Sequence, residues 1–243
     1  MFLKNFARKL VYKEKSSSDS YISYLRGKGM KIGDDCIIYA PTKTLIDEQY
    51  PWMISIGNNV RITQGVIILT HDFSWSVLKL YESKDIKKGL ILGSSGKVTI
   101  GNNVFIGMNS IITRNVNIGN NVIIGAGSIV TKDCEDNGVY AGNPAKKIME
   151  VDDYYKKRYK IQLNEAKDLA LEYYKRYKKI PPKDIFTEYF MIFESKKEIE
   201  MNEKFLNQAK LCGNYEDTVN SIPKIKKFLN YDEFIRWCLN ENK

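Results

Sequence analysis

Histidine is almost missing: a single imidazole, His71, stands in 243 residues. One imidazole cannot supply the two or three ligands on which histidine-based zinc chemistry depends. The four cysteines, Cys36, Cys134, Cys212 and Cys238, lie far apart and form no C-x-x-C pair. That excludes a zinc-ribbon spacing. With no cleavable signal ahead of them, it also argues against a secreted disulfide framework, and a reducing cytoplasm is the expected location. No apolar run reaches the roughly 18 to 20 residues of a membrane span. Only Met1–Lys13, basic and with Phe2, Leu3, Phe6 and Leu10 on one helical face, offers a weak peripheral contact with a bilayer. Packing of that helix against the end of the fold is the plainer reading.

What is present is a core-building supply of 43% hydrophobic residues and a net charge of +9. The length suits one large domain or two smaller ones. Most of the basic excess lies in residues 1–150, with 19 basic against 13 acidic, while 151–243 holds 19 against 16. The lysines form no dense patch interleaved with aromatics, so nucleic acid is not an expected partner.

The informative feature is a repeat of six. From Ile56 the chain reads IGNNVR, ITQGVI, ILTHDF, and from Ile100 IGNNVF, IGMNSI, ITRNVN, IGNNVI, IGAGSI, VTKDCE. An aliphatic residue leads nearly every hexapeptide and a small or β-branched one stands fifth. Ile32 and Ile38 share the phase of Ile56, whereas the run from Ile100 is shifted by two. An irregular segment must therefore interrupt the repeat between about Ser74 and Ser95. A period of six fits neither an amphipathic helix nor a simple alternating strand. It fits a parallel β-helix, in which three hexapeptides make one 18-residue coil and the leading aliphatics stack inward. Gly and Asn suit the corners, where left-handed backbone is tolerated.

The segment from Ile100 to Ile148, ending IGAGSIVTKDCEDNGVYAGNPAKKI, closely resembles the hexapeptide-repeat acyltransferases, in particular sugar O-acetyltransferases of the galactoside and maltose type and polysaccharide-modifying enzymes. The resemblance covers about 32–149. It implies a mainly β chain, a left-handed parallel β-helix normally assembled as a homotrimer. The handedness comes from the resemblance alone, since the general rule for parallel crossovers is right-handed. Enzymes of the gamma carbonic anhydrase type share this fold but need three histidines, so no metal is expected.

Acetyl transfer from acetyl-CoA to a sugar hydroxyl requires a base to take the hydroxyl proton, and imidazole suits that work near neutral pH. Only His71 offers one, and it stands where the family places its catalytic histidine, just before an irregular loop. Asp72 should face away from it, because adjacent residues on an extended strand point to opposite sides. Asp47, Glu48 or a backbone carbonyl could hold the other ring nitrogen. The resemblance also implies that the Met108 backbone N–H serves the oxyanion, in a stretch Phe105-Ile106-Gly107-Met108 where the family often has Trp and Ser. It places coenzyme A along Phe105, Gly107, Ala126, Thr131, Lys132 and Lys146, in a groove between two copies. Asn143-Pro144 is read as a turn.

Trp75 and Tyr81 in the loop 74–95 are candidates for sugar contacts. After Val151 the pattern turns helical: one long helix, a Pro181-Pro182 break, a second helix through residues 185–211 and a short one near 231–240. The expected division is 1–30 capping segment, 31–149 β-helix, 150–243 helical extension. Two other functions stay open: N-acetylation of an amino sugar or antibiotic, and a non-catalytic trimeric β-helix that binds a glycan or partner.

Overall fold

The structure is a computed structural model and describes residues 10–240; most of the basic segment Met1–Lys13 lies outside them. It holds two compact units, Met1–Tyr154 and Tyr155–Lys243.

In the first unit, short strands are dealt in turn to three parallel sheets. The first sheet orders β1 (Lys31–Ile32), β4 (Ile54–Ile56), β7 (Val98–Ile100) and β10 (Val116–Ile118). The second runs from β2 (Ile37–Ile38) through β5 (Arg61–Ile62), β8 (Phe105–Ile106) and β11 (Ile123–Ile124) to β13 (Gly138–Gly142) and β14 (Ala145–Glu150). The third orders β3 (Leu45–Ile46), β6 (Ile67–Ile68), β9 (Ile111–Ile112) and β12 (Ile129–Val130). Strand upon strand, the chain stacks three-sided coils, the arrangement expected of a parallel β-helix. Only β14 is antiparallel, folding back on β13 across the Asn143-Pro144 turn, whose peptide bond is cis.

Two places in each hexapeptide build the core. The leading residues Ile56, Ile62, Ile68, Ile100, Ile106, Ile112, Ile118, Ile124 and Val130 are all buried, and so are the fifth residues Val60, Val66, Val104, Ser110, Val116, Val122, Ser128 and Cys134. The two buried serines donate to the Gly125 carbonyl. Burial pushes the Cys134 thiol up to about 12, so it behaves as a small apolar filler.

The second-place glycines have a different reason from the corner freedom expected of them. A Cβ on Gly57 would lie 2.7 Å from the Gly101 carbonyl oxygen of the next coil, and one on Gly101 2.6 Å from that of Gly119. Close stacking of coils excludes a side chain there. The left-handed backbone falls instead on the second asparagine, with φ of 55° at Asn59 and Asn103 and 54° at Asn121. Their amides form a ladder: Asn59 donates to Asn103, Asn103 to Asn121, and Asn121 to Asn137.

Register locates two excursions. A regular coil takes 18 residues, as from Ile100 to its partner Ile118. From Ile56 to Ile100 it takes 44, because the segment around residues 74–95 is inserted. That segment is less irregular than expected, since it opens with a short helix, α2 (Trp75–Leu80). From Ile32 to Ile56 the coil takes 24. Its six extra residues equal one repeat, so the phase of the sequence hides them. They fall at the turns holding Pro41–Lys43 and Pro51–Met53. The first coil is covered by α1 (Ser18–Gly27), capped by Ser17 and burying Tyr21, Ile22 and Leu25.

The second unit is helical. α3 (Val151–Tyr177) buries Ala166 and Ala170 in a core of Phe186, Phe190, Phe193, Phe205 and Phe234. The expected second helix is broken into pieces. Ser195 closes a capping box with Glu198 to begin α4 (Lys196–Met201), and the Asn202 side chain starts α5 (Glu203–Ala209) afresh. α6 (Tyr215–Ile225), which carries Pro223, was not anticipated, while α7 (Tyr231–Asn240) lies where the last helix was.

Candidate active site

His71 follows β6 by three residues, at the edge of the third sheet where the inserted segment departs. The neck of that segment is closed by an antiparallel bridge between His71 and Ser95 and by the Asp72 N–H on the Ser94 carbonyl. In the coil before, Asp47 directly follows β3 and is all but buried. Its Oδ2 lies 2.6 Å from His71 Nδ1 and also accepts from the Thr70 N–H at 3.0 Å and the Thr70 hydroxyl. Its Oδ1 accepts from the Gln49 N–H. Burial raises the Asp47 pKa, but the hydrogen bonds from Thr70, Gln49 and His71 outweigh it, and the carboxyl ends below its usual 3.8. It is therefore ionised at neutral pH and can only accept. The proton of a neutral imidazole must sit on Nδ1, leaving the Nε2 lone pair turned away from the carboxylate.

Of the three orienting groups left open by the sequence, Asp47 occupies the place. Glu48 is engaged elsewhere, accepting from the Tyr24 hydroxyl at 2.7 Å. Asp72 is committed to other partners, taking hydrogen bonds from both ends of the insertion, Ser74 and Ser94, and from Arg114 Nε at 2.8 Å. Those contacts, Ser74 first and Arg114 next, hold its carboxyl well below the usual carboxylate range.

Beside the imidazole opens a cleft of about 320 Å³ lined by Leu69, His71, Asp72, Thr113, Arg114 and Thr131. Leu69, Thr113 and Thr131 each follow directly on a strand of the third sheet, one per coil, so they form a column along the stack. Among the described residues no group of histidine, cysteine and carboxylate side chains could hold a metal ion. No helix of the described residues is long and apolar enough to cross a membrane.

Residues 97–132 match the family described as bacterial transferase hexapeptide (six repeats). Over 159 residues the chain is 42% identical to protein CapG of Staphylococcus aureus, covering 62% of this chain and 87% of CapG. The chain belongs to the hexapeptide-repeat acyltransferase family. It is also 38% identical over 146 residues to galactoside O-acetyltransferase of Escherichia coli K12, covering 58% of this chain and 65% of that enzyme. Among solved structures, a maltose O-acetyltransferase from Clostridium difficile 630 is 29% identical, with 54% of this chain and 75% of that one covered and a TM-score of 0.41.

The remaining expected residues of this acyltransferase fall into separate groups. Thr131 shares the cleft with His71, and Lys132 is exposed beside it. Phe105 and Met108 are exposed, 42% and 45%, near the corner between the second and third sheets. Gly107 and Ala126 are stacked at that corner: a Cβ on Gly107 would meet the Ala126 backbone nitrogen at 2.5 Å. The Met108 carbonyl accepts from the Gly127 N–H. Lys146 is exposed on β14, paired with Ala141.

One chain does not bring His71 and Met108 together. Met108 precedes β9 by three residues, His71 follows β6 by three, and β6 pairs with β9 in register. They stand at opposite edges of the third sheet.

Trp75 begins α2 with its ring 5.8 Å from Phe73, while Tyr81 caps the far end of that helix, half exposed. Sequence reasoning missed Tyr50 and Phe73, whose rings flank the imidazole at 5.4 and 5.9 Å, and Arg114 in the cleft. Alternation along His71-Asp72-Phe73-Ser74-Trp75 was a usable signal for Phe73. Nothing in the sequence marked Tyr50, because the extra residues of its coil leave the repeat in phase.

Proposed function

We infer that this acyltransferase moves an acetyl group from acetyl-CoA to a sugar hydroxyl, in the making of a surface polysaccharide in the cytoplasm, with His71 as general base. The observation that carries the reading is the 2.6 Å contact between His71 Nδ1 and the buried Asp47 carboxylate. It turns Nε2 away from the carboxylate, on a rigid coil beside a cleft. The relative named galactoside O-acetyltransferase supports the reaction class.

In the proposed step, Nε2 takes the hydroxyl proton as the oxygen attacks the thioester carbonyl. The tetrahedral oxyanion is met by the Met108 N–H, a backbone donor of the kind that needs no reorganisation during reaction. Collapse expels the coenzyme A thiolate, which recovers the proton from the imidazolium. Because His71 and Met108 lie at opposite edges of one sheet, the complete site takes one edge from each of two copies in a homotrimer of left-handed β-helices. Coenzyme A would run between them. Ala126, small and exposed, leaves room for the pantetheine chain above the corner where Gly107 lets the coils stack closely, Phe105 offers a stacking face, Thr131 pairs with the chain in the cleft, and Lys132 and Lys146 meet the phosphates. Trp75 and Tyr81 are assigned to the acceptor. The functional parts are residues 31–149, with 1–30 as cap and 150–243 as a helical extension.

His71→Ala should lower kcat for acetyl transfer by about 10² to 10⁴ and change the KM for acetyl-CoA little. Thioester loss followed with candidate sugars decides it. Unchanged turnover in the variant would end the base assignment. Coenzyme A binding without transfer to any hydroxyl would leave the non-catalytic glycan-binding reading in its place.

A further inference from the structure

A row of aromatic rings runs through the candidate site, with the base at its middle. Trp52 packs on Tyr50 at 5.7 Å, Tyr50 on His71 at 5.4 Å, His71 on Phe73 at 5.9 Å and Phe73 on Trp75 at 5.8 Å. The row joins both excursions of the coil: the turn at Pro51–Met53 supplies one side and the neck of the insertion the other. Its members are not core residues that happen to touch. Trp52 is 66% exposed and Phe73 64%, whereas the aromatic side chains of the true cores are nearly inaccessible.

Tyr50, His71 and Trp75 are half-buried, and the rings brace one another mostly edge to face, at 61°, 75° and 63°, with Phe73 and Trp75 tilted at 37°. Rings held in this way cost little conformational entropy to use and present apolar surface with polar edges. The C–H face of a pyranose matches such a surface. A single sugar whose hydroxyl meets His71 could touch only the rings next to the imidazole. Yet the row continues one ring further on each side, to Trp52 and Trp75, and each step is about one sugar unit long. Beyond Trp75, residues 76–92 carry four lysines against two acidic residues. An acidic chain would be drawn to that end.

We propose that the acceptor is an acidic polysaccharide, acetylated at an internal residue, whose neighbouring sugars on either side lie on Trp52 and on Phe73 with Trp75. This rests on the sugar-acetyltransferase reading above and adds to it the polymeric, charged nature of the substrate.

The test offers the full chain radiolabelled acetyl-CoA and a panel of de-O-acetylated acidic capsular polysaccharides. Beside each polymer is the monosaccharide mixture from its own complete hydrolysis. Label should enter at least one polymer about tenfold faster than its monosaccharides, and partial hydrolysis should find it on internal residues. Trp52→Ala and Trp75→Ala, at the two ends of the row, should each raise the KM for that polymer about tenfold, with kcat less affected. Equal use of monosaccharides, label confined to chain ends, or tryptophan variants with an unchanged polymer KM would overturn the proposal. So would a change in oligomeric state on Trp52→Ala, which would make the row a contact between copies.

Binding separates this failure from failure of the enzyme reading. Two of the three tryptophans lie in the row. Polymer quenching of fluorescence in the inactive His71→Ala chain, lost when Trp52→Ala is added, would uphold the platform even if no sugar were ever acetylated. Neither labelling nor quenching with any polymer would reject it.

Discussion

At the scale of the residue, Asp47 does two things that can be separated by experiment. It fixes which nitrogen of His71 carries the proton, and its ionised form is stabilised by donors from Thr70 and Gln49. Asp47→Asn keeps the shape but lets the imidazole take either tautomer, so kcat should fall by about 10² to 10⁴ while the fold persists. The stability effect has a definite sign with pH. The folded pKa of Asp47 lies below its ordinary 3.8, so its ionisation stabilises the fold at pH above 3.8, and this is lost as pH falls further through the folded value. Urea unfolding should show Asp47→Asn less stable than the native chain at pH 7, with the gap closing below pH 3.8. A gap that widened in acid would mean the carboxylate is not the stabilised form. His71 was legible because it is alone and stands at a break in the repeat. Asp47 was legible only as one of three choices, since the sequence does not say which neighbour of a strand end lies beneath the next coil. Tyr50 and Arg114 were not legible, because their positions depend on how coils stack.

The hexapeptide is the element that decides this fold, and its asparagines allow a test of why. Asn121 combines a φ of 54° with two ladder hydrogen bonds, one to each neighbouring coil. Asn121→Ala loses the bonds and also the residue type that tolerates left-handed backbone, for an expected loss on the order of 2–3 kcal/mol. Asn121→Gly loses only the bonds and should fall short of that by about 1 kcal/mol. Equal losses in denaturant titration would show that backbone conformation contributes nothing at this corner. The strands themselves were readable from Ile32 to Val130, since period six leaves few alternatives. What the period could not show was an insertion of its own length, and so the first coil passed as regular. The break between α4 and α5 was hidden for another reason: periodicity and composition run through it, and only the reach of the Asn202 side chain to the Lys204 and Phe205 amides restarts the helix.

At the scale of the whole molecule, the proposed site, which needs His71 and the Met108 N–H together although one chain holds them at opposite edges of the third sheet, makes a quantitative demand on assembly. A head-to-tail ring of three identical chains has three equivalent junctions, each taking the His71 edge from one copy and the Met108 edge from the next. His71→Ala spoils the first edge, and Ala126→Trp, an exposed position at the second corner, should block the other by filling the coenzyme A path. Each variant alone should then be inactive. Coexpressed in equal amounts and randomly assembled, they should recover about a quarter of native activity, because one junction in four pairs an intact edge from each chain. If both edges of a site came from the same chain, no mixing could restore it, and the coexpressed pair would stay inactive. The particle that regains activity should sediment as three chains of 28.1 kDa. Activity from a single-chain particle would refute the shared site while leaving the His71–Asp47 pair in place.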